Sequence, residues 1–304
     1  MADLRGVLRC PDCRQGLTWG NSVECVNGHR FAIDDGVPIL TLGPGNQAEA
    51  DQHAHQRAHY DREFSAAGPY RLDNWQRAYL RRMDLLWEEQ REAGPFLDCG
   101  AGGSAYTVIE TARRGIPSVA CDLSLEGMKR ARRYAIAEGV ADRCLFLVCG
   151  AEHLPFADGS FVAVASIAVL EHIPDDRAAI AELARVTAPQ GRVMVAVPNS
   201  IDRMPALIRP IYRWHDRRVG HLRHYSPDGL AERFRASGLE PLRTIYSAHW
   251  VKVWQLGIHL VARRLGLNDA RLWWRMEEAD SRAADRSNGM HLSLVLRRRR
   301  ASAS

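Results

Sequence analysis

Apolar and polar positions alternate along this chain in blocks. Short apolar runs at 95–99, 118–122, 144–149, 162–167 and 191–197 read as buried strands, and the stretches between them at 104–114, 125–138 and 175–187 read as helices. Regular alternation of this kind predicts a parallel sheet with helices on both faces. Ser124 and Ser226 stand where helix N-caps belong, Pro227 follows in the first helical position, and Gly238 marks a helix stop. Residues 240–247 predict a sixth strand, and 290–298, apolar at every second position, a seventh. Upstream, Tyr79, Leu80, Met83, Leu86 and Trp87 recur at three and four, so 75–91 predicts an amphipathic helix. The polar stretch 43–60 reads as a linker whose histidines, His53, His55 and His59, lie in solvent. Residues 250–265 predict a helix, and the charged 266–289 a surface excursion.

One stretch carries more than structure. Residues 96–104 read Phe-Leu-Asp-Cys-Gly-Ala-Gly-Gly-Ser: an apolar run, an acid, then glycines before a helix. Glycine suits such a turn because a side chain would hold the backbone away from a ligand above it. The turn alone fits dinucleotides, phosphates and adenosyl groups equally. Asp122 closes the next strand, about twenty residues on, where doubly wound folds place a carboxylate on a ribose. Then come Ala151-Glu-His-Leu-Pro-Phe-Ala-Asp-Gly-Ser-Phe161 and Val169-Leu-Glu-His-Ile-Pro174.

In this order the motifs resemble the class I S-adenosylmethionine-dependent methyltransferases, in particular the branch with the ubiquinone and menaquinone methyltransferases, over roughly residues 95–240. The resemblance implies a Rossmann-like, seven-stranded α/β fold, mostly parallel, with its last strand antiparallel. It implies that Asp98 and the backbone of Gly100, Ala101 and Gly102 hold the amino-acid end of S-adenosyl-L-methionine. Asp122 would accept from the ribose hydroxyls, Leu123 would pack on adenine, and Ala151 and Glu152 would meet its rim. An N-terminal helical segment would lid the cofactor, with Tyr60 and Tyr70 as candidate contacts. Two positions depart from the pattern: Gly150 and Val162 stand where the family usually has acids. A lost acceptor costs about 1 kcal/mol or somewhat more.

The first forty residues read as a separate unit. Cys10, Cys13, Cys25 and His29 form C-x2-C-x11-C-x3-H, four ligands that can close a tetrahedron around a structural zinc ion. A ribbon of this size needs a metal to fold. Cys99, Cys121, Cys144 and Cys149 fall on or beside the predicted strands and read as core. The expected organisation is a zinc-ribbon module at 1–42, a linker and helical lid at 43–92, and a methyltransferase domain at 93–300 with an insert at 199–225.

Net charge is +5, and Arg297, Arg298, Arg299 and Arg300 supply four of those charges, so the body is near neutral. No run of eighteen apolar residues and no basic-then-apolar leader occurs, which predicts a cytoplasmic protein without a membrane span.

The expected reaction is methyl transfer to a small-molecule, secondary-metabolite or glycan acceptor, with oxygen as the receiving atom. His172 and His221 are the candidate bases, and His224 a weaker one. The insert holds Arg203, Arg209, Arg213, Arg217, Arg218 and Arg223 among Tyr212, Trp214 and Tyr225, a set that suits an anionic small molecule or RNA. The ribbon resembles that of bacterial ribosomal-RNA guanine methyltransferases, so RNA stands as the alternative acceptor. A non-catalytic scaffold that only binds S-adenosylmethionine is a third reading.

Overall fold

The computed structural model describes residues 4–42, 47–65, 68–88, 93–204, 206, 209–249 and 270–300. Three short antiparallel strands come first, β1 (Leu17–Trp19), β2 (Val23–Cys25) and β3 (Arg30–Phe31), then a hairpin of β4 (Ile33–Asp34) and β5 (Val37–Pro38). Helices α1 (Gln47–Phe64) and α2 (Asn74–Met83) lead to β6 (Phe96–Cys99). From there strands and helices alternate: α3 (Tyr106–Arg113), β7 (Ser118–Asp122), α4 (Leu125–Ala137), β8 (Cys144–Val148), β9 (Phe161–Ile167), α5 (Asp176–Val186) and β10 (Thr187–Pro198). Then follow α6 (Arg209–Val219), α7 (Pro227–Ala236), β11 (Leu239–Ser247), α8 (Ala270–Arg282) and β12 (His291–Arg298).

The seven-stranded sheet runs β11-β12-β10-β9-β6-β7-β8, and β12 lies antiparallel between β10 and β11. Its inner strands are buried on both faces, which explains why they read as continuous apolar runs. Where parallel β6 gives way to its neighbours β7 and β9 on either side, the C-terminal strand ends open a crevice. The caps act locally as expected: Ser124 Oγ accepts from Gly127 N at 2.9 Å and Ser226 Oγ from Gly229 N at 3.2 Å. Gly238 takes a φ of +81° at the end of α7.

The N-terminal unit does not stand apart. Leu4, Leu8, Val23 and Leu40 are buried in the same apolar cluster as Leu147, Leu154, Phe156 and Phe161. Leu40 N donates to Val148 O at 2.8 Å, so the unit lies against the outer strand β8.

Three expectations change. The linker at 43–60 is largely helix: α1 is mostly polar, with alanine as the one apolar residue type before Tyr60, so it carries no apolar period to betray it. The helix expected at 75–91 stops at Met83 and tightens into a 3₁₀ turn at Asp84–Leu86. Within the excursion at 266–289, α8 packs its Glu277 and Asp280 into the interior, where Asp280 accepts from the amides of Ala248 and His249 at 3.0 and 2.8 Å. The helix expected at 250–265 lies outside the described residues. Among those described, no helix is long and apolar enough to cross a membrane.

Candidate functional site

After β6 the chain reverses through the glycine turn at the crevice. Gly100 has a φ of +81°, and a methyl group there would stand 2.2 Å from Val169 Cγ2, so only glycine fits. The amides of Gly100 and Ala101 donate to Cys121 O at 2.8 and 3.1 Å and lash the turn to β7. Asp122, at the end of β7, faces this turn. Its Oδ2 accepts from Gly102 N at 3.0 Å and its Oδ1 from Ser124 N at 2.9 Å. Burial pushes its carboxyl above the usual range, against the pull of those amides.

Asp98 sits beneath the same turn. One oxygen accepts from the Thr107 hydroxyl, while the other, Oδ1, is buried without a partner. Burial pushes this carboxyl up to about 7. A buried lone oxygen beside a cavity calls for a donor from a ligand.

That cavity measures about 590 Å³ and takes in Asp98, the glycine turn, Asp122, Leu123, Ala151, Glu152 and His172. Helix α1 roofs it. Gln52 Nε2 donates to His172 O at 3.0 Å, His53 Nε2 meets Glu152 Oε1 at 3.2 Å, and Asp61 accepts from the Ser124 hydroxyl. At its end Phe64 wedges into the turn, where methyl groups on Gly103 and Gly127 would stand 2.6 and 2.8 Å from its ring. His53 is therefore not the solvated residue expected. Its partner is a buried carboxylate that no local pattern in 43–60 could show.

The two departures have different outcomes. A methyl group on Gly150 would lie 3.3 Å from Glu152 Oε2, so the Glu152 carboxylate stands over the place of the missing acid. Val162 is the second residue of β9, against Gly94, at the opposite end of the sheet from the crevice, where its side chain has no bearing on the cavity.

His172 lies in the 3₁₀ turn Leu170–His172 after β9 and lines the cavity. Its Nδ1 donates to Gly220 O at 3.3 Å, which leaves Nε2 as an acceptor 3.5 Å from the Tyr60 hydroxyl. Burial, helped by His221, pushes its pKa down to about 4, so the ring is neutral near neutral pH. His221 packs its ring at 4.8 Å from that of His172 and donates from Nδ1 to Asp216 Oδ1 at 2.8 Å. His224 is tied at both nitrogens, to Asn199 O and Asp216 Oδ2, each at 2.8 Å. It holds the loop rather than facing the cavity. Tyr70 is likewise engaged, donating to Glu110 at 3.1 Å.

The arginine and aromatic residues of the insert do not converge. Arg223 donates to the carbonyls of Ile173 and Pro174, Arg209 to those of Met204 and Asp202, and Tyr225 is buried with its hydroxyl on Asp176. Arg213, Arg217 and Arg218 remain on the exposed side of α6 with Trp214.

In the N-terminal unit, Cys10, Cys13, Cys25 and His29 bring one ligand atom each within 4.8 Å of one another. Cys13 and Cys25 sulfurs are 3.7 Å apart, the edge of a tetrahedron with metal–sulfur bonds of about 2.3 Å. His29 turns Nδ1 to the thiols, 3.4 Å from both Cys10 and Cys25, and its Nε2 bonds Asp12 at 2.8 Å. A carboxylate behind a metal-facing imidazole is the usual outer support of a metal ligand.

Comparison with known proteins decides the family. A family model described as a methyltransferase domain matches residues 97–195. A demethylmenaquinone methyltransferase of Corynebacterium glutamicum is 33% identical over 195 residues, covering 64% of this chain and 73% of that protein. The chain belongs to the class I S-adenosylmethionine-dependent methyltransferases. Other relatives match less of their length: this methyltransferase spans 47% of a Corynebacterium efficiens demethylmenaquinone methyltransferase at 39% identity. It spans 31% of the Arabidopsis thaliana chloroplastic tocopherol O-methyltransferase at 36%. Among solved structures, geranyl diphosphate C-methyltransferase of Streptomyces coelicolor shares the methyltransferase's fold with a TM-score of 0.57, covering 84% of this chain and 100% of that one at 15% identity.

Proposed function

We propose that this methyltransferase acts on a small-molecule acceptor at an oxygen atom, with His172 as the base. The reading rests above all on one juxtaposition: the neutral His172, its Nε2 an acceptor beside the Tyr60 hydroxyl, borders the same cavity as Asp98 and Asp122. Bound there, S-adenosylmethionine supplies an already activated methyl group. The residues of the chain then hold, orient and exclude water.

Asp98 Oδ1 suits the ammonium of the amino-acid end, and the bare backbone of the Gly100–Gly102 turn, its amides held by Cys121 O and Asp122, suits close approach. Each Asp122 oxygen accepts one amide and keeps a lone pair for a ribose hydroxyl. Leu123 offers an apolar face to adenine, and the Ala151 amide with the Glu152 carboxylate its polar rim. His172 takes the acceptor's proton, while His221, anchored on Asp216, packs against its ring. Tyr60, Phe64, Trp75 and Tyr106 give the cavity aromatic walls. Relatives named for demethylmenaquinone and tocopherol support a small acceptor. For the N-terminal unit we propose a structural zinc ion held by Cys10, Cys13, Cys25 and His29, a set of four protein ligands that leaves no open position for substrate.

Calorimetric titration of the full chain with S-adenosylhomocysteine tests the cofactor placement. One site per chain is expected, and Asp122→Asn should weaken it about 10- to 100-fold, the effect of losing a charged acceptor. No binding by the unaltered chain would overturn the placement. Methyl-labelled donor with a panel of phenols and quinols tests the acceptor, and label recovered only on nitrogen or carbon would refute the oxygen assignment.

A further inference from the structure

The loop that meets the adenine rim is held from outside the sheet. One residue beyond Ala151 and Glu152 come Leu154, Pro155 and Phe156, and the N-terminal unit grips all three. Arg9 N donates to Pro155 O at 2.8 Å, Ala157 N to Val7 O at 2.8 Å, and Leu8 forms an antiparallel bridge with Phe156. Arg14, immediately after the Cys10–Cys13 knuckle, reaches across with its side chain. Its Nη1 donates to Leu154 O at 2.6 Å and its Nη2 to Glu182 Oε2 at 3.1 Å. Glu182 in turn accepts from Leu154 N at 2.7 Å, so Arg14 addresses both backbone groups of Leu154, one directly and one through a carboxylate. Arg185 completes the frame from α5, donating to Leu154 O, Phe156 O and Glu182.

The knuckle dictates where Arg14 points. Arg14 N donates to Cys10 O at 2.9 Å, and its φ of 60° is left-handed, a conformation that a non-glycine residue adopts only when its surroundings impose it. The cysteine turn thus aims a guanidinium at a loop 140 positions along the chain.

The geometry points to Arg14 as a positioning residue for the cofactor: it fixes the 151–156 loop so that the Ala151 amide and Glu152 carboxylate meet the adenine rim. This rests on the proposed placement of adenine there. It assigns the N-terminal unit a part in donor recognition, with no contact of its own to the cofactor.

The experiment compares S-adenosylhomocysteine with S-inosylhomocysteine, which lacks the adenine amino group, by calorimetry on the full chain. Arg14→Gln keeps the stem and the backbone strain but removes the charge. It should weaken S-adenosylhomocysteine about 3- to 10-fold, the loss of a hydrogen bond's worth of positioning, and leave the inosyl compound within about 2-fold. Arg14→Lys should recover part of the loss. Arg30→Gln, in the same unit but paired with surface Glu24, should change neither. Equal weakening of both compounds would mark Arg14 as a merely structural brace and overturn the proposal, as would no weakening of either. If the unaltered chain binds neither, the adenine placement itself has failed.

Discussion

Single atoms decide much of this site. At Gly100 a methyl group would meet Val169 at 2.2 Å, at Asp98 one oxygen lacks a donor, and at Asp122 two amides fix a carboxylate toward the turn. The glycines and both acids are visible in the sequence because their requirement is local: a bare backbone and an acceptor at a strand end. Glu152 standing over Gly150 is not, since it depends on where a side chain two residues on swings once His53 from α1 meets it. The four residues of the cysteine cluster belong with the legible set, because their spacing follows from two knuckles. For them the expectation is one zinc ion per chain by atomic absorption, with Cys25→Ser losing most of it and unfolding at a lower temperature. An unaltered chain purified without chelators and free of zinc would contradict the proposal.

Among elements, the helices and strands of the sheet follow the apolar pattern closely, whereas α1 escapes it. Its residues face a polar mouth, so its contacts are glutamines, a histidine and an aspartate, with Phe64 at its end as a half-buried apolar anchor. The turn after β9 shows a second effect of burial. Glu171 is 1% exposed and its carboxyl is pushed up to about 8, and Asp98 to about 7. Both are raised above the value of about 4 that carboxyls have in an unfolded chain. Their protonated forms cost folding nothing below about pH 4, and stability is lost progressively as pH rises until it passes those folded values. His172 works in the other direction: its contribution is intact above about 6.5 and falls as pH drops toward about 4. The unliganded chain should therefore melt at a lower temperature at pH 9 than at pH 6, and Glu171→Gln, which mimics the neutral acid, should flatten that decline. A slope unchanged in the variant would show that Glu171 ionises freely.

At the scale of the molecule, the N-terminal unit and the sheet share one apolar cluster, which composition could not reveal because both parts are ordinary in apolar content. The cysteine spacing locates the unit, but its partner surface lies at Leu154, Phe156 and Val148, far along the chain. Where the unit lies against β8 it also ends the sheet: Ile39 and Leu40 sit beside Val148, with a backbone hydrogen bond of 2.8 Å. A polypeptide started at residue 43 would bare that border and the apolar patch around it. Light scattering should then find it paired or clumped while the intact protein at equal concentration stays dispersed, and equal dispersion of the two would mean the border needs no cover. The first forty residues, on this view, also keep one molecule from adhering to the next.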